Sequence, residues 1–112
     1  MAMTRKWRII MSDFLKECQQ HANRIASKLE GFDDDELREY LEDYLDIEYI
    51  VNANKEYQSA RIYITLGGPC IYIDTEKVCV KLNHGATHVE APITYNTRDR
   101  IDDIFSEIYG IF

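Results

Sequence analysis

Nothing in the chain approaches the roughly 20 consecutive apolar residues that a membrane-spanning helix needs. The basic start Arg5-Lys6-Trp7-Arg8 leads into only a short apolar stretch before Ser12 and Asp13. Neither a membrane anchor nor a secretory leader is expected. Cysteine is scarce: Cys18, Cys70 and Cys79 cannot all pair within one chain, which excludes a disulfide framework and fits a reducing, cytoplasmic home. Basic residues are outnumbered, 13 Lys and Arg against 20 Asp and Glu, for a net charge of −7. That balance disfavours direct contact with nucleic acid or anionic lipid, since both are polyanions, and favours a basic protein partner.

The patterns of common chemical sites are missing too. Cys79-x4-His84-x3-His88, with Cys70 nearby, holds residue types that zinc accepts, but no second close pair such as Cys-x2-Cys accompanies it. Cys79 with His84 or His88 and Asp74 lacks the elbow that would present a nucleophile to its base. Gly67-Gly68-Pro69 joins two strands, whereas phosphate-cradling loops lead into a helix, so it reads as a turn. Asp33-Asp34-Asp35 and Asp102-Asp103 lack the alternating spacing of a calcium loop. No enzyme activity and no cofactor are expected. A small metal-binding domain using Cys79, His84 and His88 stands as an alternative.

What is present is a chain of 112 residues, 46% apolar, enough for one modest core. Residues 1–10 read as a flexible stretch or extension and 11–112 as a single α+β domain. Ser12 and Asp13 can cap a helix to about Leu29, stopped by Gly31. Asp33-Asp34-Asp35-Glu36 starts a second, in which Leu37, Tyr40, Leu41, Tyr44 and Leu45 form a buried stripe. From Asp46 the period becomes two, with Ile47, Tyr49 and Val51 on one face, and Asn52 to Glu56 as a turn. Strands follow over Tyr57–Leu66, Cys70–Asp74 and Val78–Leu82. Parity places Ile64 opposite Ile73, Leu66 opposite Ile71, Ile73 opposite Val78 and Ile71 opposite Val80. After a loop from Asn83 to Asn96, Thr97 caps a last helix that buries Ile101, Ile104, Phe105 and Ile108. The expected order is ααββββα, with a four-stranded antiparallel meander whose outer face carries Arg61, Tyr63, Thr65, Tyr72, Asp74, Cys79 and Lys81.

Charge is concentrated in one place. Between Asp33 and Glu48 nine carboxylates are opposed only by Arg38, so this segment carries −8 and the rest of the chain sums to about +1. With the second helix burying its apolar stripe, Asp34, Asp35, Glu39, Glu42, Asp43 and Asp46 point outward or sideways. Like charges one turn apart cost a few tenths of a kcal/mol each, so a gain elsewhere would explain them. The stripe reads either as a solvated helix face or as a docking surface that imitates nucleic-acid charge and meets a Lys/Arg-rich partner. Tyr63 and Tyr72 would add an aromatic patch, for a partner or for a homodimer.

Ala60-Arg-Ile-Tyr-Ile-Thr-Leu-Gly-Gly-Pro-Cys-Ile-Tyr-Ile-Asp-Thr75, with the acidic ending Arg100-Ile-Asp-Asp-Ile-Phe-Ser-Glu-Ile-Tyr109, resembles short proteins carried by phages and mobile elements of Gram-positive bacteria. Its most specific feature is the Gly-Gly-Pro hairpin. Some small acidic proteins from these settings are anti-CRISPR or other anti-defence inhibitors. The resemblance therefore implies a non-enzymatic inhibitor of a CRISPR effector or other nuclease complex. An immunity or antitoxin-like protein that neutralises a basic toxin would use the same stripe.

Overall fold

The computed structural model describes residues 5–111, with side chains from Ser12 to Ile111. Helix α1 runs Arg5–Gly31 and helix α2 Asp34–Glu42. Five strands follow, β1 Asp46–Val51, β2 Tyr57–Thr65, β3 Cys70–Asp74, β4 Cys79–His84 and β5 Thr87–Pro92, and then helix α3, Tyr95–Tyr109. The class is α+β, with the strands in sequential antiparallel order β1-β2-β3-β4-β5. Of the stretch expected as an extension, residues 1–4 lie outside the described residues and α1 starts at Arg5. Ser12 and Asp13 therefore sit inside a continuous helix and cap nothing.

The expected four strands are five. β5 occupies the stretch read as a loop, pairing Leu82 with Val89 and Val80 with Ala91 around a turn at Gly85, which adopts φ +61°. The register moves by two residues at Ile62, which faces Ile73 in place of Ile64, and at Val80 and Leu82, which face Ile73 and Ile71; a bulge after Tyr63 sets Thr65, and not Leu66, opposite Ile71. A slip of two keeps every side chain on its own face, so the inner apolar face survives the error. Val78 drops out of its strand into the β3–β4 turn at φ +58°, where the Asp74 carboxylate accepts the Lys77 N–H at 3.0 Å. Leu66 and Leu45, expected in the core, are exposed.

One face of the sheet holds the core. Ile62, Ile71, Ile73, Val80 and Leu82 are buried beneath Ala22, Leu29, Leu37, Ile101 and Phe105 of the three helices. Each fully buried Ile contributes about 2–3 kcal/mol relative to exposure. Helix α1 lies over β4 and β5, and α3 over β2. The other face carries no helix among the described residues. Its rows run Glu48, Arg61, Asp74, Cys79 and Asp46, Tyr63, Tyr72, Lys81, Glu90 across the strands.

The clamp between α1 and α3 is polar. The Glu30 carboxylate accepts the Thr94 N–H at 2.7 Å, the Thr94 hydroxyl at 3.0 Å and the Thr97 hydroxyl at 2.7 Å. Thr94, not Thr97 as expected, is the N-cap of α3, its hydroxyl accepting the Thr97 N–H. Burial alone would raise the Glu30 pKa. These hydrogen bonds and the charge of Arg100 outweigh it, and the net shift is downward.

Candidate partner-binding surface

Helix α2 is nine residues long and too short to be stable on its own propensity. Two things hold it. Leu37 and Leu41, one turn apart, are buried in the core, and a capping box closes its start. The Asp33 carboxylate accepts the Glu36 N–H at 2.8 Å, and the Glu36 carboxylate accepts the Asp33 N–H at 3.1 Å. Asp33 and Glu36, the first and last acids of the run, thus have structural duties. So does Asp34, whose Oδ1 accepts from Arg100 Nε at 2.9 Å while the same guanidinium reaches the Phe32 carbonyl at 2.8 Å. Arg38, the only cation of the segment, is turned away to Glu107 at 3.2 Å.

Four carboxylates remain. Asp35, Glu39, Glu42 and Asp43 are all exposed, and among the described residues none has a Lys, Arg or His within 4.0 Å. Glu42 and Asp43 sit at the C-terminal end of α2, where the helix dipole already presents negative charge, so their placement costs a little stability. Asp46 is exposed too, and its Oδ1 accepts the neighbouring Ile47 N–H at 2.8 Å. A groove of about 300 Å³ between α2 and α3, lined by Asp34, Asp35, Leu37, Arg38, Arg100, Asp103 and Ile104, extends the acidic surface with Asp103.

The structure does not unite the tyrosines with this surface. Tyr63 and Tyr72 pair across β2 and β3 with ring centroids 5.0 Å apart, on the helix-free face, whereas α2 packs on the other. The Tyr63 hydroxyl donates to Glu48, and this bond, with burial, pushes its pKa up to about 12. Asp46, opposite Tyr63, is the one acidic residue of the expected set that touches both surfaces.

Cys79, His84 and His88 are not brought together. Cys79 and His84 begin and end β4, a separation of about 17 Å at strand rise. His84 belongs to the inner face, its ring edge-on to Phe14 at 5.0 Å, while Cys79 and His88 belong to the outer one. His88 Nδ1 is hydrogen-bonded to Asn83 at 2.8 Å. Burial, then the nearby Glu90 charge, raise the Cys79 thiol pKa, the opposite of what a nucleophile or metal thiolate needs. Among the described residues no three metal-ligating side chains converge, and no helix is long and apolar enough to cross a membrane.

No family model matches the chain, nor does any curated protein or solved structure. Two charge pairings escaped the sequence. Arg100 neutralises Asp34 from 66 residues away, and no local pattern announces it. Asp74, expected on the outer face, does lie there but is only 1% exposed, with Arg61 Nε at 3.5 Å and Lys81 Nζ at 4.0 Å folded over it. The alternation of charge along Arg61, Asp74 and Lys81 on neighbouring strands was its only signal.

Proposed function

We propose that this protein is a non-enzymatic inhibitor that docks on the cationic surface of a bacterial nucleic-acid-processing defence complex, where nucleic acid would otherwise lie. The observation that carries this reading is the set of four exposed carboxylates, Asp35, Glu39, Glu42 and Asp43, that have no cation within 4.0 Å among the described residues, while Asp33, Asp34, Glu36 and Glu48 are committed to a cap or to ion pairs. Two of the four stand at the wrong end of a helix dipole. An arrangement that costs the free protein stability is accounted for when a partner supplies the missing positive charge, and such a surface also speeds encounter. The phage-like Gly-Gly-Pro hairpin and acidic ending favour an anti-defence target among cationic partners.

The test is affinity capture of the partner from a bacterial host, followed by titration of the captured complex with the Asp35→Lys, Glu39→Lys, Glu42→Lys, Asp43→Lys variant. Binding should vanish while the circular dichroism spectrum stays unchanged. Unchanged affinity of the folded variant removes this surface from consideration.

A further inference from the structure

The two edges of the sheet differ in how they treat unpaired backbone. At β5 the Ile93 N–H donates to the Val78 carbonyl at 3.1 Å, so by alternation the backbone of Glu90 and Pro92 faces outward. That edge is guarded. The Gln19 side chain donates to the Glu90 carbonyl at 2.8 Å, and Pro92 has no N–H to offer.

At β1 the same reasoning turns the backbone of alternate residues away from the sheet. Ala60 of β2 exchanges hydrogen bonds with Thr75, on the β3 side, through its carbonyl at 3.0 Å and its N–H at 2.9 Å. Tyr49 lies opposite Ala60 and Ile47 opposite Ile62, so both form non-hydrogen-bonded pairs, and their N–H and C=O groups face away from the sheet. The Ile47 N–H confirms the direction by turning to the Asp46 carboxylate at 2.8 Å instead of to β2. Strand β1 contains no Pro and no Lys, and its bulge, between Ile50 and Val51, lies beyond Ile47 and Tyr49.

What β1 has is negative charge. Asp46 and Glu48 project on the outer face of the strand, Asp46 with no cation within 4.0 Å among the described residues and Glu48 with Arg61 at 3.9 Å, and the exposed Glu42 and Asp43 lie a few residues before it. A second copy of β1 would bring Asp46 and Glu48 against the same pair, and like charges across strands repel. A basic strand meets complementary charge at every second residue and the half-buried Ile47 and Tyr49 at the residues between.

We infer that the open edge of β1 takes an extended segment of the partner as a sixth strand, with alternating Lys or Arg over Asp46 and Glu48 and apolar residues beside Ile47 and Tyr49. The inference rests on the cationic partner proposed above and adds a backbone mode of capture to its charge attraction. On docking, a basic side chain draws the Asp46 carboxylate off the Ile47 N–H, which then donates to the incoming strand.

The test uses a synthetic peptide of about ten residues alternating Lys with Val, and a control of equal charge in which alternate valines are replaced by Pro, which cannot complete a ladder. Titration should give at least about ten-fold tighter binding of the first peptide, with slowed hydrogen exchange at the Ile47 and Tyr49 amides. Asp46→Lys, an exposed position, should weaken that peptide at least about ten-fold with the fold intact by circular dichroism. Equal affinity for both peptides with unchanged exchange overturns the strand mode and leaves the acidic docking surface standing. Failure of both peptides to bind at low salt overturns the two together. Protection of Ile47 and Tyr49 that grows with protein concentration alone makes a second copy the occupant and overturns the inference.

Discussion

Glu30 and Glu39 are both exposed helical glutamates, and they do opposite things. Glu30 receives three donors from Thr94 and Thr97 and ties α1 to the start of α3. Glu39 has no donor among the described residues, and neither have Asp35, Glu42 and Asp43 around it. Composition counts these groups alike. The difference shows that acidity marks a docking surface only where the fold has left it unanswered.

The contrast is broken most severely by charge reversal. If each of the four free carboxylates contributes about 1 kcal/mol to a cationic partner, their replacement by Lys lowers affinity by about 10³-fold or more in a calorimetric titration. The same variant should unfold at an equal or slightly higher temperature, since like-charge repulsion on α2 is relieved. A large loss of thermal stability would mean that these acids belong with Glu30.

Glu30→Ala tests the other side. Losing a side chain that satisfies the first turn of α3 should cost about 1–2 kcal/mol in urea unfolding, whereas Glu39→Ala should stay within about 0.5 kcal/mol. Acid probes Glu30 in the same direction. The Glu30 pKa is lowered in the folded state, so its stabilising contribution is fully present above the ordinary value of 4.5 and is lost as pH falls through the lower folded one. Glu30→Gln should therefore flatten the acid limb of stability against pH.

Asp102 provides the smallest and most discriminating effect. Burial raises its pKa despite the Tyr57 hydroxyl at 2.6 Å and the Arg98 charge, so protonation as pH falls toward 3.8 stabilises the fold. Asp102→Asn should raise the melting temperature at pH 7 by a degree or so, roughly a few tenths of a kcal/mol, and should remove this pH-dependent gain. Tyr57 itself is pushed far above the usual tyrosine range by burial first and by Asp102 second, and stays protonated throughout.

The legible parts of this molecule are those carried by neighbours in sequence. The acidic run and its capping residues are contiguous, so the exposed stripe on α2 follows from the spacing of Leu37 and Leu41. Parity on the sheet survived a two-residue slip because side chains repeat every second position. Strand β5 escaped because its inner positions Val89 and Ala91 are interrupted by few apolar contrasts and it ends at Pro92, a residue that argues against a strand unless the strand is an edge. The pairing of Asp34 with Arg100 and of Glu30 with Thr94 joins segments more than 60 residues apart, which only the assembled fold discloses.

The docking of α1 over β4 and β5 sets an order of events during synthesis. The apolar stripe of α1 is translated about 60 residues ahead of the end of β5, the last of its docking strands. At ordinary elongation rates the nascent helix waits on the order of several seconds before its cover exists. The acidic segment emerges directly behind the basic α1, so that residues 5–48, with 7 Lys and Arg against 12 Asp and Glu, are net negative and like nascent chains repel during that interval.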